Sequence, residues 1–318
     1  MVSESIFKQS VTGEVLSKSQ SVALSSNLPE PWRSMDFKIS PLVSESNSNF
    51  LLQTLPKGRE LSAVSLVLRV PNRDEKTLGA DQALEFKFYR WAAKQDLSPE
   101  ILWANKESGV LLTRYFRDEQ NSESSHVLVE AIAQSLSKLH RTEPKSLGFD
   151  VKARCIIEHI DFYRAQLGNS AATYCAAHDL SEVEKIYEDV ALAWLKLELN
   201  IGLCHCDLHR DNILLKHGRS YFVDWEYAAL SPPILDVASL QQSYQWSPGV
   251  FEHFLALYTS QANSAAVGNS QAIKQQLPLA RFLLALQSLY WALLHYGPEH
   301  VSVDYSRALK HEIRLLKC

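Results

Sequence analysis

The chain is short of the features that mark exported, membrane-spanning or nucleic-acid-binding proteins. Its 318 residues include only five cysteines, Cys155, Cys175, Cys204, Cys206 and Cys318. An odd number at irregular spacing makes no disulfide framework and fits a reducing compartment. The formal net charge is only −4, which argues against a broad basic face and against nucleic acid as a partner. The first residues, rich in Ser and broken by Glu4, Lys8, Glu14 and Lys18, have no apolar stretch of the signal-peptide kind. No run reaches the roughly eighteen apolar residues of a membrane span. The nearest, residues 282–294, is too short and contains Gln and Ser. The expectation is a cytoplasmic protein with no membrane partner, its oligomeric state open.

What is present is ordinary for a folded domain: 46% of residues are hydrophobic and 21% charged. At roughly 150 residues per domain the length suits one large domain or two coupled lobes. Residues 1–34 read as a peripheral segment, closed by Pro29-Glu30-Pro31. Strands are expected around Phe37 and Phe50, flanking the polar run Ser44-Glu45-Ser46-Asn47-Ser48-Asn49, and at Leu66–Val70, ended by Pro71. Ala83, Leu84, Phe88, Trp91 and Ala92 carry helical spacing, and Val110–Tyr115 reads as a further strand.

Beyond that the pattern is helical. A helix through Val127, Leu128, Ala131, Ile132, Leu136 and Leu139 has Ser124 or Ser125 as N-cap, and a second covers Ile156–Leu167. Ser181-Glu182-Val183-Glu184 is a capping-box pattern opening a third, through Leu199. Gly202–Asn212 is polar, and a hairpin follows, Ile213–Lys216 and Tyr221–Asp224 about His217-Gly218. Helices resume at Pro248–Gln261, Gln271–Tyr296 and Val303–Leu316. The fold class is therefore α+β, with residues 35–112 as a small β-rich lobe and residues 113–318 as a larger, mainly helical one.

Chemistry concentrates in His205-Cys206-Asp207-Leu208-His209-Arg210-Asp211-Asn212 and, past the hairpin, Val223-Asp224-Trp225-Glu226-Tyr227. Phosphoryl transfer is mainly positioning and electrostatics: phosphates need a divalent cation, and the acceptor hydroxyl needs an oriented base. Mg²⁺ prefers hard oxygen ligands and keeps waters, so the amide of Asn212 and the carboxylate of Asp224 suffice beside the phosphates. Asp207, ionised at neutral pH, can take the hydroxyl proton. His205 reads as a residue that pins the loop rather than as a base. The pair Cys204 and Cys206 lacks a second Cys/His pair at zinc spacing, so a metal–thiolate site is not expected.

These residues resemble the signature of the aminoglycoside phosphotransferase and choline/ethanolamine kinase superfamily, from about Phe37 to the late helices. The resemblance implies a two-lobed protein-kinase-like fold with its active site in the cleft. It also implies Asp207 as catalytic base, Asn212 and Asp224 as metal ligands, and Mg²⁺ and ATP as cofactor and co-substrate. Asp236, in Pro233-Ile234-Leu235-Asp236, is similar to an aspartate that braces the catalytic loop, and His140 is similar to a structural residue. Leu66–Pro71 resembles the strand of choline-kinase type in which Arg69 replaces the phosphate-binding Lys, with Glu85 as its ion-pair partner. The run containing Ser46 and Asn49 would cover the phosphates, although relatives carry glycines there. Backbone groups from Leu112 to Tyr115 would hold the adenine.

For the acceptor, the short segment after Asp224-Trp225-Glu226 fits a small-molecule kinase rather than a protein kinase. Glu226, Tyr227 and Trp291, with Tyr244, Trp246, Tyr290 and Tyr296 nearby in sequence, suit a cationic alcohol through cation–π attraction. Leu289-Tyr290-Trp291 resembles the helix that supplies a cation-binding Trp in choline kinases, whose second Trp is Leu294 here. A choline-, ethanolamine- or thiamine-like acceptor is expected. The alternatives are an aminoglycoside-type phosphotransferase and a non-catalytic nucleotide-binding module of the same fold.

Overall fold

The structure is a computed structural model that describes residues 28–42, 48–54, 64–70, 82–105, 108–121, 124–261 and 269–317. The chain forms two compact units. The first runs through Asp118 and takes back Tyr221–Glu226; the second holds Glu119–Ser220 and everything from Tyr227 on. The division thus falls a few residues beyond the expected 112/113 and crosses a strand of the hairpin.

In the first unit, β1 (Phe37–Leu42), β2 (Ser48–Thr54), β3 (Ser65–Val70), β4 (Ile101–Ala104) and β5 (Leu111–Arg114) make one antiparallel sheet in the order β1-β2-β3-β5-β4. Alternation puts Phe37 and Ile39, Phe50 and Leu52, and Leu66 and Leu68 on the same apolar face. Leu28, 2% exposed, belongs to that cluster, with Trp32 and Met35 packed against it. Residues 28–34 are therefore not peripheral: one large side chain sealing a sheet face outweighs the turn chemistry of Pro29 and Pro31. Helix α1 (Gln82–Lys94) buries Glu85, Phe88, Tyr89 and Ala92 at three- and four-residue spacing. Strand β4 was not foreseen. Its four residues are all half-buried, without the in–out alternation that marks a strand in sequence.

The second unit is mainly helical: α2 (Ser125–His140), α3 (Ile156–Leu167), α4 (Asn169–Ala177), α5 (Val183–Leu195), α6 (Ile234–Tyr244), α7 (Pro248–Gln261), α8 (Ser270–Tyr296) and α9 (Val303–Leu316). Ser124 caps α2, accepting from the N–H of Val127. The capping box expected at Ser181 does not form: α5 starts at Val183 with Glu182 in helical geometry and without a side-chain cap. It also ends at Leu195 rather than Leu199. Strands β6 (Gly202–Cys204) and β9 (Ala229–Ser231) pair antiparallel within what sequence alone reads as polar loops. Strand β6 also lies close to the end of α2, since a Cβ on Gly202 would stand 3.3 Å from the carbonyl oxygen of His140. Strands β7 (Ile213–Lys216) and β8 (Arg219–Phe222) form a ribbon as expected, but the second strand runs two residues earlier than the expected Tyr221–Asp224 and leaves Asp224 beyond it; the turn is made by His217 and Gly218, with φ 51° and 69°. Helix α8 is long and apolar enough to cross a membrane by length and composition. Here it packs against α3, α6 and α9, and its Arg281 pairs with Glu312 of α9 at 2.8 Å.

Candidate active site

The residues singled out in the sequence fall in both units. In the first, Arg69 near the end of β3 faces Asn49 across the ladder, and Asn49 Oδ1 is buried without a hydrogen-bond partner among the described residues. The Arg69 guanidinium pairs with Glu85 of α1, donates from Nη2 to Asp224 Oδ1 at 3.0 Å, and lies 3.5 Å from Glu226 Oε2. The expected Arg69–Glu85 pair is therefore present, within a larger cluster. Trp225 explains how Asp224 and Glu226 reach it. Fully buried, the indole packs with Phe88, Trp91 and Phe222, and its Nε1 donates to Ser98 Oγ at 2.9 Å. Anchoring that ring in the core presents the flanking carboxylates to Arg69.

Three carboxylates around one guanidinium leave an excess of negative charge. Burial works against the Arg69 charge, but Glu85, Asp224 and Glu226 together raise its pKa, so it stays protonated. Burial pushes Glu85 up to about 7, with Asp224 adding to the rise and Arg69 opposing it. Protonated Glu85 is thus favoured by the folded state. Its contribution to stability is fully present below its ordinary value of 4.5 and is lost as pH rises through about 7. Melting temperatures across that window should fall with rising pH, and Glu85→Gln should flatten the slope; an unchanged slope in the variant counts against the assignment.

In the second unit, the loop from His205 to Asn212 leaves β6 and enters β7. Asp236, in the first turn of α6, braces it: Oδ2 accepts the His205 N–H at 2.8 Å and Oδ1 the Cys206 N–H at 2.9 Å. His140, closing α2, sits with Nε2 3.0 Å from Asp236 Oδ2 and Nδ1 2.6 Å from the Tyr258 hydroxyl. Although burial works to raise the Asp236 pKa, His140 and His205 hold it below the ordinary aspartate value. Cys206 has φ +63°, which turns the chain so that Asp207 faces outward, its side chain 38% exposed. Asn212 donates from Nδ2 to the Asp207 carbonyl at 2.9 Å and to its Oδ2 at 3.1 Å. That leaves the Asn212 amide oxygen turned to the other side. Burial pushes the Cys206 thiol up to about 12, so it stays protonated.

Sequence reasoning missed two residues beside this loop, of which Gln120 supports it directly. Gln120 donates to the Ile213 carbonyl at 2.6 Å and accepts from the Tyr244 hydroxyl; Arg154 stacks over the Tyr227 ring, 4.7 Å from its centroid. Neither stands in a motif, and only folding brings them near.

Several expectations need correction. Leu112 cannot hold an adenine through its backbone, because β5 is a central strand paired with β3 on one side and the unforeseen β4 on the other. The Tyr115 N–H is likewise taken, by the Ser65 carbonyl at 3.1 Å. Glu226 is not an open carboxylate awaiting a cation but a member of the Arg69 cluster. Tyr227 presents its ring to the chain's own Arg154, and Tyr244 its ring to Arg210 at 5.8 Å. Tyr290 is buried and hydrogen-bonded to Glu184. Trp291 is partly exposed, with one face stacked on His295 at 4.8 Å. Ser46 lies outside the described residues.

Residues 38–267 match the phosphotransferase enzyme family. The protein LicA of Haemophilus influenzae (strain ATCC 51907 / DSM 11121 / KW20 / Rd) is 27% identical over 254 residues, 78% of this chain and 88% of that one. A choline/ethanolamine kinase family protein from Mesorhizobium loti shares the fold with a TM-score of 0.70 at 21% identity, covering 94% of this chain and 93% of its own. The choline kinase LicA from Streptococcus pneumoniae does so with a TM-score of 0.59 at 17% identity, covering 84% and 88%. The chain therefore belongs to the phosphotransferase enzyme family and shares its fold with choline and ethanolamine kinases.

Proposed function

We propose that this kinase moves the terminal phosphoryl group of ATP, with Mg²⁺, to the hydroxyl of a small cationic metabolite of the choline, ethanolamine or thiamine kind. The observation that carries the reading is the state of Asp207. It is held by Asn212 through its carbonyl and one carboxylate oxygen, on a loop braced from beneath by Asp236, yet it remains well exposed. A general base needs that combination of fixed direction and access to its substrate.

The donor set suits a hard divalent cation. The Asn212 amide oxygen is turned away from Asp207, and Asp224 offers a carboxylate of which only Oδ1 is engaged by Arg69. Asn212 and Asp224 would hold Mg²⁺, which when bound neutralises charge on the phosphate oxygens. Arg69 grips phosphate oxygens with its fork, and Glu85 keeps that fork oriented. Asp207 orients the acceptor hydroxyl and accepts its proton as the new P–O bond forms. The cationic acceptor follows from the kinship with LicA and from the partly open ring of Trp291 on α8.

The test is ADP formation from ATP and Mg²⁺ with choline, ethanolamine, thiamine and an aminoglycoside. Stimulation by at least one cationic alcohol, absent without Mg²⁺, is expected. Nucleotide binding without stimulation by any acceptor would overturn the reading in favour of a non-catalytic module.

A further inference from the structure

A small, partly open pocket lies within the second unit, lined by Arg154, Cys206, Ser231, Ser239, Leu284 and Gln287 among others. It touches the catalytic loop at the residue before Asp207. Leu284 and Gln287 lie on α8 at the three- and four-residue spacing that also brings Trp291 to that helix face. The position and polar lining suit one end of the acceptor.

Arg154 is the unusual member. Its backbone is pinned on both sides: the N–H donates to the Leu230 carbonyl at 2.9 Å, and its own carbonyl accepts from Ser231 Oγ at 3.1 Å. The guanidinium lies over the Tyr227 ring, its carbon 4.7 Å from the ring centroid. Its Nη2 is buried and donates to no acceptor among the described residues. The carboxylate that lines the same pocket, Asp236, is already committed to two backbone N–H groups and His140. His159 adds no counter-charge. Burial, and after it the charge of Arg154, lowers its pKa to about 4 and keeps it neutral.

A buried cationic donor left open is costly, and the groups that satisfy it best are oxyanions. The aromatic face that a ligand cation would seek on Tyr227 is occupied by this same arginine. We propose that Arg154 binds an anionic oxygen group of the acceptor, a carboxylate or a phosphate. The substrate class is then a hydroxy compound that carries an anion besides any ammonium group, rather than a simple cationic alcohol. The proposal rests on the kinase reading above and departs from it in the acceptor, which would carry an anionic group where that reading has a simple cationic alcohol.

Two measurements separate the two ideas. The first is kcat/KM for L-serine, glycerol 3-phosphate and ethanolamine in the wild type, Arg154→Leu and Arg154→Lys. The wild type should prefer at least one of the two anionic acceptors. Arg154→Leu should lower the ratio of that acceptor to ethanolamine by about 10- to 100-fold. Arg154→Lys should recover part of it, keeping the charge without the fork. L-serine as the affected substrate identifies a carboxylate, glycerol 3-phosphate a phosphate. The second is calorimetric titration, without nucleotide, of the wild type and Arg154→Leu with the same two anions and with inorganic phosphate. At least one should bind about 10- to 100-fold more weakly to the variant. Equal affinities for all three in both proteins would overturn the proposal whatever the turnover. Binding that depends on Arg154, with no ADP formed from any acceptor, would uphold the anion site while removing the kinase reading.

Discussion

Replacing Asp207 by alanine is expected to lower kcat by about 10²–10⁴, the usual worth of a positioned general base, while leaving nucleotide affinity nearly unchanged. The geometry says why the loss should be confined to turnover. Asn212 holds the Asp207 backbone carbonyl as well as its side chain, so the amide keeps one of its two acceptors. The loop itself is held by Asp236 through His205 and Cys206 and by Gln120 through Ile213. The carboxylate is well exposed, so its removal leaves no cavity. Asp207→Asn is the sharper control, because it preserves shape and removes only basicity. Steady-state kinetics beside a nucleotide titration provide the check; turnover like that of the wild type in either variant would remove Asp207 from its role.

The largest effect on stability is expected at Asp236. Its two oxygens serve the N–H groups of buried His205 and of partly buried Cys206, and the buried His140 ring. Asp236→Ala would strand these donors at about 1–3 kcal/mol each if none finds a new partner. A total loss of roughly 3–5 kcal/mol is expected, as when one member of a buried charged network is removed. Because Asp236 is held below its ordinary pKa, its contribution is present above the unfolded-state value and disappears as pH falls through the folded one. Urea unfolding at neutral pH should show the full loss in Asp236→Ala, and the difference from wild type should shrink in acid. A loss under 1 kcal/mol, or one insensitive to pH, would mean that the loop is held by other contacts. Asp236→Asn should sit between, since an amide can accept from one side but meets His140 or a backbone N–H with its own donor on the other.

The contacts around Asp207 and Arg69 were largely legible in the chain. Asp207 and Asn212, five residues apart on one loop, are tied together as the motif suggests, and Arg69 and Glu85 form the pair implied by the resemblance. Asp236 and His140, distant in sequence from the loop, brace it as that resemblance suggested. The acceptor side was much less legible. Aromatic residues are plentiful near the end of the chain, but sequence cannot say which rings are already spoken for. Tyr227 and Tyr244 hold the chain's own arginines, and Tyr290 is tied to Glu184. Helix α6 was missed because its first turns are buried all round, which leaves no amphipathic stripe to read.

What the sequence determined by itself was the local inventory: an aspartate and an amide on one loop, a hairpin, a strand ending in arginine, and helices with a clear apolar stripe. Such features rest on residues close together in the chain, where spacing is geometry. The tertiary structure alone decided which groups are spent and which remain open. Strand β4, too short to announce itself, made β5 central and closed the Leu112 backbone to a ligand. The buried indole of Trp225 presented Asp224 and Glu226 to Arg69, and Arg154 was left with an unfilled donor in a pocket beside the loop. Whether a polar group is satisfied depends on partners dozens of residues away, and no local pattern encodes their arrival.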